Sequence, residues 1–247
     1  MRWRPFRRGR TAWANAPQTD EAAAARERRR MVQEQIEARG IDDPELIRAF
    51  LTVPRHAFVA DSTTRNAYED RALGIGSGQT ISQPYVVAAM TDAARPRGRA
   101  EGWRGAQVLE IGTGSGYQAA VLAELGARVV SIERHADLAE DAEARLRGAG
   151  YGPQQVEVRV ADGTHGAPDA APFDAILVTA ASPTLPEPLV AQLNEAGGRL
   201  VIPIGGRESQ VLTVVERHGD EVARQSIEQV VFVPLIGEHG FAPEDGG

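Results

Sequence analysis

The chain has 247 residues, with 34 acidic against 27 basic side chains and a net charge of −7, a length that predicts one α/β domain with a helical N-terminal part. No run approaches the roughly 18 apolar residues of a membrane span, so a soluble, cytoplasmic chain with no membrane partner is expected. It has no cysteine and no lysine, every basic residue being arginine, which excludes thiolate catalysis, disulfides and a lysine Schiff base.

Charge is divided unevenly. The first 30 residues hold nine arginines against Asp20, Glu21 and Glu27, which gives that segment +6 and leaves −13 on the rest. An acidic body argues against nucleic acid as a partner. Residues 1–19 read as a disordered basic arm that lacks the apolar stretch of a secretory signal. Residues 20–104 read as a helical, substrate-binding segment and 105–247 as a Rossmann-like domain, with 20–247 packed as one unit and a monomer expected.

From about residue 20 the pattern is helical, with apolar Met31, Val32 and Ile36 and Gly40 placed as a C-terminal stop. Asp42-Asp43-Pro44 caps a second short helix through Phe50, and Val53-Pro54-Arg55 breaks it. Residues 68–79 carry three glycines and little periodicity, a loop with a short strand over 72–75. Gly78-Gln79-Thr80-Ile81-Ser82-Gln83-Pro84-Tyr85 then leads into an apolar helix over 84–94. Ser82 is placed to cap that helix, a role worth about 1 kcal/mol, and spacing alone favours this structural role over a functional one.

A polar linker to Arg104 precedes Val108-Leu109-Glu110-Ile111-Gly112-Thr113-Gly114-Ser115-Gly116-Tyr117. Apolar residues run into an acid and then three glycines spaced two apart, a buried strand, a tight turn and a helix start. Such a turn needs positive φ, and a ligand against its backbone leaves no space for a Cβ. The dinucleotide fingerprint spaces its glycines G-x-G-x-x-G. Here Glu110 would repel a pyrophosphate but receive the ammonium of a methionine-like tail, so the pattern fits S-adenosyl-L-methionine better than NAD.

The next strand, 128–133, ends in Glu133, 17 residues past Gly116 and near the offset at which an acid accepts from ribose hydroxyls. A helix follows over 136–146. A third strand over 156–160 ends in Asp162-Gly163, either a partner for a nucleobase amine or an ordinary Asp-Gly turn. A fourth strand over 173–178 ends in Thr179-Ala180-Ala181, small residues that leave space. Pro186 opens a helix to 193. Strands over 198–203, 210–216 and 230–234 complete the order, with a turn at His218-Gly219-Asp220. The alternation predicts a doubly wound, mostly parallel seven-stranded sheet with an antiparallel edge hairpin. The five histidines show no metal-ligand spacing, so none is read as a ligand and no metal is expected.

With these residues in place, the chain resembles the protein-L-isoaspartate O-methyltransferases, a family of class I S-adenosylmethionine enzymes. The resemblance rests on Val53-Pro54-Arg55 with Phe58-Val59, Gly78 to Pro84, the glycine turn, Pro172-Phe173-Asp174-Ala175 and Phe232-Val233-Pro234-Leu235, and covers residues 31–241. It implies that Ser82 is the active-site serine and that Thr80 and Ile81 lie along the cofactor. Glu110, Gly112, Gly114, Gly116, Glu133, Asp162 and Gly163 would hold the remainder. The implied partners are proteins and peptides with isoaspartyl residues, whose free carboxylate would be methylated. Tyr85 stands where several branches of the family have His. Three other readings stay open: a methyltransferase serving one dedicated peptide, a nicotinamide-dependent dehydrogenase, and a binding module without activity.

Overall fold

The computed structural model describes residues 21–59, 64–97 and 99–243; the expected basic arm lies outside them. Helix α1 (Glu21–Met31) runs on through a π turn (Val32–Ile36) and a 3-10 turn (Glu37–Arg39) to Gly40, whose φ of 88° stops it. Asp43 caps α2 (Pro44–Thr52), its Oδ1 accepting from the amides of Glu45 and Leu46 at 2.9 Å each. The short α3 (Thr64–Ala67) and an antiparallel pair, β1 (Leu73–Gly76) and β2 (Gln79–Ile81), lead to α4 (Pro84–Ala93).

Alternation then begins: β3 (Gln107–Ile111), α5 (Tyr117–Glu124), β4 (Arg128–Glu133), α6 (Ala136–Gly148), β5 (Val156–Val160), β6 (Ala175–Val178), α7 (Glu187–Ala191), β7 (Ala196–Gly205), β8 (Gln210–His218) and β9 (Glu221–Val230). The seven strands from β3 onward form one sheet in the order β5-β4-β3-β6-β7-β8-β9. The first five are parallel, and β8 and β9 are antiparallel to their neighbours. This is the mostly parallel Rossmann-like sheet that the element order predicts.

The central strands β3 and β6 are buried on both faces, which is why they read as near-continuous apolar runs. Val108 and Leu177 face one hydrophobic cluster, Leu109 and Ile176 the other. The first cluster also contains Met31, Ile36 and Phe50 together with Tyr117 and Val121, so the N-terminal helices and α5 share a core.

The last strand differs from expectation. Residues 230–234 do not form it; β9 ends at Val230. Because β9 is the edge of the sheet, all ten of its residues are exposed or half-buried, and Arg224, Gln225, Ser226 and Glu228 interrupt any apolar run. The segment after it, with Pro234, folds back to bridge Ala181. Proline has no N–H for a ladder and suits such a connection.

Candidate active site

The chain leaves β3 for β4 on one side while β6 lies on the other, so the carboxyl ends of these three strands border a crevice at the switch point of the sheet. Three cavities open there, and Thr80 and Thr179 form part of the wall of each. One, of about 60 Å³, is lined by Glu133, Gly114, Gly163 and the returning residues Leu235 and Ile236. A second, of about 40 Å³, lies among Ile81, Ser82, Glu110, Gly112 and Gln118. The third, of about 400 Å³, is lined by Ser82, Gln83, Arg39, Glu228 and Phe232. Of the residues expected at a site, only Gly116 and Asp162 line none of the three.

The turn after β3 has the expected backbone, with φ of 95° at Gly112 and 52° at Gly114. What fills the space beside Gly112 is protein, however. A Cβ there would stand 2.5 Å from Thr179 Oγ1, which donates to the Ile111 and Gly112 carbonyls at 3.0 and 2.8 Å. At Gly116 a Cβ would meet Leu146 of α6 at 3.2 Å. Gly116 therefore serves helix packing and Gly112 serves Thr179.

Glu110 is fully buried. Ser131 Oγ donates to its Oε2 at 2.5 Å and is itself paired with Thr113 Oγ1 at 2.6 Å. Burial pushes the Glu110 carboxyl up to about 8, against the Ser131 hydrogen bond, and Glu133 adds to the rise. Its Oε1 has no partner among the described residues, and neither does Gln118 Oε1, whose amide nitrogen donates to Thr91 at 2.9 Å. Two buried acceptors that no described residue satisfies thus line one small cavity. Such a pair is costly to leave unmade and fits a ligand rich in N–H groups.

Glu133, at the end of β4, accepts the Gly114 amide at 2.9 Å and the His135 amide at 3.1 Å, which aims its carboxylate along the first cavity. Asp162 behaves differently. Its Oδ1 accepts from the Thr164 amide and hydroxyl, and its Oδ2 from the Glu238 amide. The side chain caps the 3-10 turn Gly163–His165 and ties down the C-terminal segment, while Gly163 faces the cavity.

Ser82 is not the helix cap that spacing favours. The cap of α4 is Gln83, without a side-chain bond. Among the described residues the Ser82 hydroxyl has no hydrogen-bond partner, yet it borders two cavities. Sequence reasoning missed Arg39, whose guanidinium lies 3.1 Å from the centre of the Tyr85 ring and 3.2 Å from Asp70 at the rim of the large cavity. Thr179, at the end of the strand where small residues were expected to leave space, lines all three cavities, and Gln118, the last residue of the glycine-turn motif, lines one of them without having been singled out as a wall residue.

This sheet, with its glycine turn and an acid at each of the two adjoining strand ends, defines the Rossmann-like methyltransferase class. Residues 26–240 match the family described as Protein-L-isoaspartate(D-aspartate) O-methyltransferase (PCMT), and the chain belongs to it. A Methanoregula boonei protein-L-isoaspartate O-methyltransferase is 52% identical over 215 residues, 87% of this chain and 95% of that protein. A solved protein-L-isoaspartate O-methyltransferase superposes with a TM-score of 0.75 at 28% identity, covering 86% of this chain and 67% of the other. A Plasmodium falciparum structure in complex with S-adenosyl-L-homocysteine has the same fold, with a TM-score of 0.70 at 23% identity over 85% of this chain and 98% of its own.

Proposed function

We propose that this chain transfers a methyl group from S-adenosylmethionine to the free carboxylate of L-isoaspartyl residues in damaged proteins and peptides. The observation that carries the cofactor is the pair of buried acceptors, Glu110 Oε1 and Gln118 Oε1, that have no partner among the described residues, beside the glycine turn. Their chemistry suits an ammonium. Glu133 would accept from the ribose hydroxyls, and Gly163, Leu235 and Ile236 would border the base. Thr80 and Ile81 would lie along the cofactor, and Asp162 would act by shaping the turn that presents Gly163. When bound, the cofactor supplies an electrophilic methyl group on a sulfonium centre.

The substrate carboxylate, with a pKa near 4, is already ionised at neutral pH, so no strong general base is needed. What the protein contributes is placement and exclusion of water. The Ser82 hydroxyl, which no described residue pairs with, is the donor that would orient the carboxylate. As a neutral group it blunts the nucleophile less than an arginine would in the ground state. The released methyl ester loses methanol when the next backbone nitrogen attacks it. The resulting succinimide opens with water, in part to normal aspartate.

The test is methyl transfer from labelled S-adenosylmethionine to paired peptides that differ only in an isoaspartyl or aspartyl linkage. Incorporation into the isoaspartyl peptide alone supports the reaction. Cofactor binding with transfer to neither peptide points to a dedicated client, and absence of cofactor binding overturns the reading.

A further inference from the structure

Outside the crevice the geometry points to a divalent-metal site made by His165, Glu238 and His239, which we propose here. One donor atom from each lies within 4.8 Å of the others. His165 Nε2 is 3.2 Å from a Glu238 carboxylate oxygen, and the two imidazoles meet edge to face with centroids 5.1 Å apart. Donors around a tetrahedral zinc ion stand about 3.3 Å from one another. The first pair is therefore at ligating separation, and the third donor is brought in by side-chain rotation. Asp162, 3.8 Å from His165 Nε2, adds a second carboxylate at the edge of the group.

The backbone beneath the cluster sets it apart from a chance meeting of exposed side chains. The Glu238 amide donates to Asp162 Oδ2 at 2.9 Å, and the His239 amide donates to Thr164 Oγ1 at 3.2 Å. Two ligand-bearing residues of the C-terminal segment are thus fastened to the same turn that carries the third. Gly237 fits only because it lacks a Cβ, which would stand 2.1 Å from Asp162 Oδ1. A site held this way loses little further freedom on binding an ion. Two imidazoles and one carboxylate form a borderline donor set suited to Zn²⁺, with a fourth position open to water. His165 and Glu238 are exposed and His239 is half-buried, so an ion can enter from solvent.

The position gives the ion a role. Gly163 from one side and Leu235 and Ile236 from the other line the cavity next to Glu133, and an ion bridging His165 to Glu238 and His239 clamps those walls together. Ser82 borders the other two cavities only, so the ion acts as a fastener and takes no part in bond making.

The experiment is a calorimetric titration of Zn²⁺ into the untagged full-length chain, with Co²⁺ absorption as an independent report of tetrahedral coordination. We expect one ion per chain. In His165→Ala and in His239→Ala, which each remove a direct ligand, affinity falls by more than the roughly 10- to 100-fold that loss of an outer-shell partner costs, while His218→Ala binds as the wild type does. Saturating zinc raises the melting temperature of the wild type but not of His239→Ala. Circular dichroism of the metal-free variants checks that they fold. Absence of stoichiometric binding at sub-millimolar zinc, or equal affinity in the folded His165 and His239 variants, overturns the proposal.

Discussion

The buried guanidinium of Arg55 holds the backbone of Ser82: Nη2 donates to the Ser82 carbonyl at 2.7 Å while Nε donates to the Ala67 carbonyl at 2.8 Å. Arg55 has no exposed surface and lies 4.9 Å from the centre of the Tyr117 ring. Burial lowers its pKa to about 10, against the pull of Tyr117 and Tyr68, so it stays charged at neutral pH. One planar side chain thus spans α3 and the segment entering α4. Lysine keeps the charge but loses the fork. Arg55→Lys is expected to lose about 2–4 kcal/mol of stability in denaturant unfolding. Its kcat should fall several-fold while S-adenosylhomocysteine affinity stays within about twofold, as a displaced Ser82 requires. Equal losses in both would mean that Arg55 acts on the cofactor cavity instead.

Ser82→Ala separates the two roles that the sequence leaves open. If the hydroxyl were a helix cap, its removal would cost about 1 kcal/mol of stability. Gln83 occupies that position and the Ser82 hydroxyl has no partner among the described residues, so stability should change by less than about 0.5 kcal/mol. Turnover on an isoaspartyl peptide should drop about 100-fold, the effect of losing one positioned donor, with cofactor affinity retained. Unchanged turnover would remove Ser82 from the reaction.

The contrast between Ser82 and Gly112 shows what the sequence made legible. Alternation of strands and helices was sufficient for the parallel part of the sheet, because β3 and β6 are largely buried on both faces and so read as apolar runs. The glycine turn was legible because positive φ at Gly112 and Gly114 is a local backbone demand, and the acids Glu110 and Glu133 were legible from their place near the ends of their strands. Contacts between distant segments were not. Thr179 fills the space beside Gly112 from a strand far along the chain, and Asp162 is occupied by Thr164 and Glu238. Edge strand β9 carried no apolar signal because water covers most of it. His165 and His239 meet only because the C-terminal segment returns across the sheet.

Glu110 gives a pH signature. Its carboxyl ionises near 4.5 in an unfolded chain and at about 8 in the fold, chiefly because of burial. A carboxyl with a raised folded-state pKa gives a contribution that is complete below about pH 4.5 and is lost as pH climbs through 8, where the buried group must ionise. Glu110→Gln cannot ionise and escapes that loss. The stability of the variant relative to wild type should therefore rise from pH 5 to pH 9, by about 3 kcal/mol at the upper end. Denaturant unfolding at three pH values measures it, and other titrating groups cancel in the comparison. With S-adenosylhomocysteine present the difference should shrink, since an ammonium beside Oε1 favours the ionised carboxylate. A pH-independent difference would show that Glu110 is not strained by burial.

Gly112 and Thr179 should behave as a coupled pair. Gly112→Ala meets two obstacles: a φ of 95°, which an L side chain rarely adopts, and the Thr179 hydroxyl 2.5 Å from the new Cβ. Together these are expected to cost about 2–4 kcal/mol. Thr179→Ala alone loses the bonds to the Ile111 and Gly112 carbonyls, about 1 kcal/mol. In the double variant the clash is gone and only the backbone strain and the lost Thr179 bonds remain, so the combined loss should fall short of the sum by about 1 kcal/mol or more. A four-member unfolding cycle reads this coupling directly. Strict additivity would mean that the loop moves aside for the methyl group, and that the tight approach of Thr179 does not enforce glycine here.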